Sequence, residues 1–240
     1  MKRDVFLFSI SLFAVLISCF AADHYLVAPA FQHTSIQGTP VLILDAGHGG
    51  EDGGALSASG HKESEINLDI VLKAESLFAF LGTDTVLTRN SDISIHDPDC
   101  SSLREKKTSD LKNRVNLINN TPNAMLISVH QNTFTDSRYK GAQVFFCDGE
   151  LSALWGEYTQ MLFQSVLDKT NTRRATAVPE HVYLFSHIGC PAILIECGFL
   201  SNGEETALLL TDTYQRKIAL ILAGAYFHQL QMIPTPLGGG

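Results

Sequence analysis

The sequence predicts an α/β fold: a single domain with a mostly parallel central sheet flanked by helices on both faces. Three observations predict this class. Short apolar runs, typical of strands that are buried on both sides, alternate along the chain with segments of helical periodicity. This alternation favours crossover connections, which make neighbouring strands parallel and cover both faces of the sheet with helices. Hydrophobic residues make up 45% and charged residues 18% of the 240 residues, which is enough apolar material for one core.

The predicted elements follow one another in the order that this class requires. Strands are predicted at residues 41–45, 85–88, 124–130, 142–146, 183–185 and 192–197. Helices are predicted at residues 66–81, 110–119, 152–167 and 214–230. The polar residues 90–109 are predicted to form a loop between the second strand and the second helix.

Four segments make up the predicted domain organisation. Residues 1–22 form a signal peptide or membrane anchor, and residues 23–40 form a tether with no sustained periodicity. Residues 41–232 form one catalytic domain, and residues 233–240, which end in three glycines, form a disordered tail.

The leader has a basic start and an apolar body. Lys2 and Arg3 precede an uncharged, largely apolar run at residues 5–20. Three fates fit this pattern: an uncleaved anchor, a cleaved signal peptide, and a lipoprotein in which Cys19 becomes the lipidated first residue. Each of them predicts a domain that works outside the cytoplasm, as a secreted, membrane-anchored or lipidated protein of the cell envelope.

Composition excludes two classes of function. The 17 basic and 25 acidic residues give a formal charge of −8, which argues against a nucleic-acid partner because phosphate backbones require an excess of Lys and Arg. The five cysteines form no CxxC pair and are odd in number, so neither a cysteine-ligated zinc site nor a disulfide framework is indicated. Any metal must therefore be held by histidine and carboxylate.

Polar residues follow three of the predicted buried strands. They lie in the segments Asp45-Ala46-Gly47-His48-Gly49-Gly50, Ser128-Val129-His130-Gln131-Asn132 and Ile195-Glu196-Cys197-Gly198. Because functional groups gather at the carboxyl ends of parallel strands, these segments are predicted to meet at one edge of the sheet. The glycine-rich turn lacks both the Walker ending and the dinucleotide spacing, so a phosphate site is not indicated.

His48 and His130 come from two of these strand ends and, with one carboxylate, would make the open His₂Glu site that catalytic zinc uses. The position of Glu63, just ahead of the first helix, makes it the best third ligand. Position alone leaves other candidates open, namely Glu65, Asp52, Glu51 and the nearby His61.

Five short motifs occur in one order over residues 41–230. They are DAGHGGEDGGA (45–55), KESEINLDI (62–70), LKNRVNLIN (111–119), ISVHQN (127–132) and IECGFLSN (195–202). Together they resemble the zinc-dependent N-acetylmuramoyl-L-alanine amidases. Within that family, the chain most resembles the germination-specific spore-cortex members. This narrower resemblance rests on the leader, the absence of wall-binding repeats and the 102–107 segment.

The resemblance implies both a site and a reaction. It makes His48, Glu63 and His130 the ligands of one Zn²⁺ per chain, and Glu196 the catalytic carboxylate. The implied reaction is hydrolysis of the amide between the lactyl group of N-acetylmuramic acid and L-alanine in peptidoglycan, by a zinc-activated water with Glu196 as general base. Such an enzyme would remodel the cell wall or spore cortex, with a possible regulatory protein partner and membrane contact through its N-terminal segment.

Other polar residues near the motifs have alternative roles. Asp45 either orients a metal ligand or caps the turn after the first strand. Arg114 and Asn132 are expected to make a structural salt bridge and a loop hydrogen bond. Ala46 stands where the family usually has proline, and Gln131 replaces a common alanine, which affects substrate fit more than catalysis.

Two rival functions remain at this stage. A zinc peptidase acting on peptidoglycan stems would need a cation for a terminal carboxylate, and Arg89, Arg114 and Arg138 are candidates. A catalytically silent module that binds the wall or a partner would need none of His48, Glu63, His130 and Glu196. Only an amidase releases intact stem peptides with an L-alanine amino terminus, so mass analysis of digested peptidoglycan separates the three.

Overall fold

The computed structural model describes residues 40–233. The predicted leader, the tether up to residue 39 and the tail from residue 234 lie outside the described residues. Within the described part, no helix combines the length and the apolar character needed to cross a membrane.

Six strands and six helices form the described domain. In chain order they are β1 (Val41–Ala46), α1 (Glu63–Phe80), β2 (Thr85–Leu87), α2 (Leu103–Asn119), β3 (Ala124–Asn132), β4 (Gln143–Phe146), α3 (Glu150–Val166), β5 (Thr176–Ala177), α4 (Tyr183–Ser186), β6 (Ala192–Phe199), α5 (Gly203–Leu209) and α6 (Asp212–Met232).

The sheet is mixed, with the strand order β2-β1-β3-β6-β4-β5. The first four strands in this order are mutually parallel, whereas β4 runs antiparallel to β6 and β5 runs parallel to β4. The predicted α/β domain with a mostly parallel sheet is thus confirmed. The edge formed by β4 and β5, which runs in the opposite direction, was not predicted. The connection from β3 to β4 contains no helix, whereas a parallel crossover usually contains one.

Helices cover both faces of the sheet, as predicted. On one face α1, α3 and α6 pack over alternate strand residues such as Leu44, Ile127 and Ile195, and Trp155 is fully buried there. On the other face α2 and α4 cover Leu126 and its neighbours. Because side chains alternate along a strand, His130 and Glu196 project on this second face. Residues at the carboxyl ends of β3 and β6 therefore form the candidate site there.

Two predicted elements differ in the structure, and the short elements β5 and α5 were not predicted from the sequence. Helix α2 begins at Leu103 instead of residue 110, because Ser102 and Glu105 form a capping box that starts it two turns earlier. Residues 183–185 were expected to form a strand but lie in the one-turn helix α4. Its consecutive residues Leu184 and Phe185 are both buried in the same cluster, which a strand with alternating sides would not achieve.

Candidate functional site

The turn after β1 presents His48 in an unusual backbone conformation. His48 has a φ of 62°, in the left-handed region that residues other than glycine rarely adopt. The turn is closed by backbone hydrogen bonds between Gly49 and Asp52. Buried Arg89 donates to the carbonyl oxygens of Ala46 and Gly47, at 2.9 and 3.1 Å. The closed turn and Arg89 therefore hold the strained backbone of His48 in place, and His48 is also a predicted metal ligand.

Glu63 is fixed at the start of α1 by hydrogen bonds to both carboxylate oxygens. Its Oε2 accepts from the backbone N–H of Ala55 at 2.9 Å. Its Oε1 accepts from the backbone N–H of Gln131 at 3.1 Å and from the side chain of Asn67 at 3.3 Å. Asn67 lies one helical turn after Glu63, on the same face of α1. The carboxylate is thus buried and aimed at the end of β3.

His48, Glu63 and His130 converge on one point. Glu63 Oε1 lies 3.3 Å from His48 Nε2 and 2.9 Å from His130 Nδ1. One donor atom from each residue lies within 4.8 Å of the others. The sequence-based expectation that two histidines and a carboxylate meet at the strand ends agrees with this geometry.

The other candidate ligands are not part of this cluster of donor atoms. Glu51 is exposed and paired with Lys106, and Glu65 is exposed beside Lys62 at 3.9 Å. His61 is also exposed and is not part of the cluster. Asp52 contacts His48 from behind: its Oδ2 lies 3.0 Å from His48 Nδ1, the ring nitrogen that faces away from Glu63.

The cluster suits a divalent cation. Two imidazole nitrogens and one carboxylate oxygen are the ligand set of many catalytic zinc sites. Burial alone would lower the pKa of His48, but hydrogen bonds to Asp52 and Glu63 raise it to about 9. Burial alone would raise the pKa of Glu63, but hydrogen bonds and attraction to His130 and His48 hold it far below its usual range. The surroundings thus favour positive charge at this point. Gly47 also belongs to the site, because a Cβ there would lie 2.2 Å from the ring of His130.

Glu196 lies beside the cluster on the neighbouring strand. It pairs with His130 in the register of β3 and β6. Its Oε2 is buried and has no hydrogen-bond partner within the described residues. Burial raises the pKa of Glu196 to about 7. Attraction to His130 acts in the opposite direction, and repulsion from Glu63 raises the pKa further. A carboxyl group with this pKa both accepts and donates protons near neutral pH.

Asp45 belongs to a buried network and does not contact a ligand ring. It accepts hydrogen bonds from Ser128 at 2.6 Å and Thr88 at 2.7 Å, and it forms an ion pair with Arg114. Arg114 also pairs with Asp110 at 2.7 Å and donates to the carbonyl oxygen of His48 at 2.8 Å. The structural role expected for Arg114 is confirmed. The carboxylate that contacts the ring of His48 is that of Asp52 and not that of Asp45.

The arginines considered for a peptidase have other partners. Arg89 and Arg114 are buried and bonded to backbone carbonyls or acids. Arg138 is exposed and paired with Asp136 at 2.7 Å.

Three neighbours of the site were not singled out from the sequence: Asn67, Gln143 and Arg173. Only Asn67 had a detectable signal, its position four residues after Glu63 on a predicted helix.

Comparisons with known proteins identify the family of the chain. Residues 42–225 match the N-acetylmuramoyl-L-alanine amidase family model. The germination-specific N-acetylmuramoyl-L-alanine amidase of Bacillus subtilis is 33% identical over 183 residues, which cover 75% of each chain. AmiA of Escherichia coli is 26% identical over 238 residues, covering 80% of this chain and 77% of AmiA.

A solved structure is similar over a comparable extent. The CwlD amidase of Clostridioides difficile, determined in complex with the GerS lipoprotein, has a TM-score of 0.77 and 38% identity. The match covers 81% of this chain and all of that chain. Family model, relatives and fold agree, and the chain belongs to the N-acetylmuramoyl-L-alanine amidase family, whose members act on peptidoglycan.

Proposed function

We propose that this amidase uses one Zn²⁺ per chain, bound by His48, Glu63 and His130, with Glu196 as its general base. The observation that carries the proposal is the convergence of three donor atoms within 4.8 Å beside Glu196, whose buried Oε2 has no hydrogen-bond partner among residues 40–233. The donor set has the composition of an open catalytic zinc site, in which a fourth position is left for water or substrate.

The residues have separate tasks in amide hydrolysis. Bound zinc would supply Lewis acidity, which lowers the pKa of water to about 7 and polarises an amide carbonyl. Glu196 accepts the proton of the attacking water and then delivers it to the departing alanine nitrogen. Asp52 accepts a hydrogen bond from His48 Nδ1 and so keeps Nε2 free to bind metal.

We further propose an extracytoplasmic enzyme of the spore cortex or cell wall. The basic start and apolar run of the leader support the location. The Bacillus subtilis relative is named germination-specific, which supports a role in sporulation or germination. The Clostridioides difficile amidase was determined with a lipoprotein, which supports a protein partner for this chain as well.

The proposal is tested with Glu196→Gln, a nearly isosteric change that removes the base. We expect the variant to keep one zinc per chain and to lose roughly 10²- to 10⁴-fold in turnover, the usual contribution of proton transfer. Zinc content is measured on the purified protein. Turnover is measured by mass spectrometry of digested peptidoglycan, in which the amidase product is a stem peptide beginning with L-alanine.

His48→Ala serves as the comparison, because it should lose zinc as well as activity. Wild-type turnover in Glu196→Gln would contradict the role of Glu196. Zinc-loaded wild type that cleaves within the stem would indicate the peptidase, and zinc-loaded wild type that cleaves nothing would indicate the silent binding module.

A further inference from the structure

An open cavity of about 530 Å³ has a lining that includes Tyr139, Lys140, Asn171 and Arg173. Gln143 links this cavity to the candidate site. It pairs directly with Glu196 across the antiparallel strands β4 and β6. Opposed residues of such strands project on the same face, with Cβ atoms roughly 5 Å apart. The side chain of Gln143 therefore leads from Glu196 towards the cavity.

Arg173 is held rigidly at this wall of the cavity. Its Nη1 donates to Gln143 Oε1 at 3.0 Å, and its Nε donates to the carbonyl oxygen of Lys140 at 3.0 Å. The guanidinium carbon lies 4.7 Å from the ring centroid of Phe199 and 5.9 Å from that of Tyr139. A guanidinium restrained in this way loses little freedom when it binds a ligand.

The partners of Arg173 within residues 40–233 are neutral. They are an amide oxygen, a carbonyl oxygen and two aromatic rings. The nearby buried acid Glu205 accepts instead from the backbone N–H groups of Gly141 and Phe199. The positive charge of Arg173 is therefore not neutralised by an ion pair in the described domain.

The remaining charges of the cavity are mostly satisfied. Arg138 and Asp136 form an ion pair with each other, and Asp168 accepts hydrogen bonds from Thr170. The hydrogen bond from Thr170 and the charge of exposed Lys140 both lower the pKa of Asp168, so the charges of Lys140 and Asp168 offset each other. Arg173 is left as the cation of the lining without an acidic partner among residues 40–233. The cavity thus presents unpaired positive charge in a protein whose formal charge is −8.

We propose that Arg173 and this cavity form a subsite for the carboxylate groups of the substrate's stem peptide. The inference rests on the proposed function. The N-acetylated sugars carry no charge once the lactyl carboxyl is in amide linkage, whereas the peptide keeps free carboxylates. A guanidinium fork matches a carboxylate bidentately. An extended peptide advances roughly 3.3 to 3.6 Å per residue, so a carboxylate two or three residues beyond the scissile amide lies roughly 7 to 11 Å away. This exceeds the spacing of about 4.8 Å between β6 and β4 and extends past Gln143 towards Arg173.

The test compares two soluble muropeptides that differ only in whether the stem carboxylates are free or amidated. We expect wild type to have a kcat/KM roughly 10- to 100-fold higher for the free form, the usual effect of a charge-assisted hydrogen bond. Arg173→Ala should lose this preference and cleave the amidated form like wild type. Arg173→Lys should keep part of it. Arg174→Ala, with the same loss of charge at the adjacent exposed position, should behave as wild type.

The outcomes separate this inference from the proposed function. Cleavage of neither muropeptide by zinc-loaded wild type would reject the proposed function. Equal cleavage of both by wild type, or equal losses on both in Arg173→Ala, would overturn the subsite and leave the amidase activity standing. If Arg173→Ala melts at a lower temperature than wild type, the subsite is judged from two other results. These are the preference of wild type for the free muropeptide and the part of that preference kept by Arg173→Lys.

Discussion

A single hydrogen bond sets which nitrogen His48 offers to the site. Asp52 Oδ2 lies 3.0 Å from His48 Nδ1, which directs Nε2 towards Glu63. Asp52 is itself held by Lys107 from α2, at 2.8 Å. Carboxylates behind a ligand histidine fix both its tautomer and its orientation, and their removal commonly costs 10- to 100-fold in metal affinity.

Asp52→Asn should therefore weaken zinc binding roughly 10- to 100-fold without unfolding the domain, since an amide cannot accept the same charge-assisted hydrogen bond. The measurement is competitive zinc titration against a fluorescent chelator. Glu51→Gln is the matched control, because Glu51 lies in the same turn but is exposed and paired with Lys106. Equal zinc affinity in the two variants would show that Asp52 does not position His48.

At the scale of elements, α2 is fastened to the end of β1 by a buried ion pair. Arg114 of α2 bonds Asp45 of β1 and the carbonyl oxygen of His48, and both charged side chains are almost completely buried. Removing one partner from such a pair leaves an uncompensated buried charge. The same contact thus joins the stability of the fold to the placement of the turn that carries His48.

Arg114→Ala should lower the free energy of unfolding by about 3 to 5 kcal/mol, the range found when buried pairs are broken. Urea denaturation of the metal-free protein measures the change. Arg216→Ala removes an exposed arginine that pairs with Asp212 on α6, and it should cost less than about 1 kcal/mol. Similar, small losses in both variants would mean that the buried pair does not fasten α2.

The elements could be predicted from the sequence where the signal was local. Apolar runs placed β1, β3 and β6 to within two residues, because buried parallel strands are almost continuously hydrophobic. The early start of α2 depended on a capping box in a polar segment that carries little periodicity. The reversed direction of β4 and the helical turn at residues 183–186 depend on tertiary packing, which no local pattern encodes.

At the scale of the whole molecule, acid pH acts on the same buried charges. Burial by itself would raise the pKa of Asp45. The charge of Arg114 and the interactions with Ser128, His130 and Thr88 outweigh burial and lower this pKa from 3.8 to about 2. A carboxyl group whose pKa is lower in the folded state contributes stability above its unfolded pKa. That contribution, about 2 kcal/mol for a shift of this size, is lost as the pH falls through the folded value.

Wild-type stability should therefore decrease between about pH 4 and pH 2, and the difference between wild type and Arg114→Ala should narrow over the same interval. Urea midpoints of the metal-free proteins at pH 5, 4, 3 and 2 measure this. A difference that stays constant across these values would show that Asp45 titrates normally in the folded protein.

The site could be predicted from the sequence as far as strand ends and family motifs allow. His48, His130 and Glu196 lie at the ends of buried runs, and parallel strands bring their carboxyl ends together. Asp52 lies within a family motif and was a candidate ligand, but its position behind His48 depends on how the turn packs. Arg173 gave no signal, because its contacts depend on how loops pack in three dimensions. Asp45, which lies at the end of a buried run three residues before His48, forms an ion pair with Arg114 of α2 and contacts no ligand side chain.

Zinc stoichiometry tests the central claim most directly. Metal-free protein is loaded with zinc and dialysed, and its zinc content is measured by elemental analysis beside Glu63→Ala and His130→Ala, with circular dichroism to confirm folding. If His48, Glu63 and His130 bind zinc together, wild type holds about one zinc per chain and either folded variant holds almost none. Folded wild type without stoichiometric zinc, or variants that retain as much zinc as wild type, would contradict it.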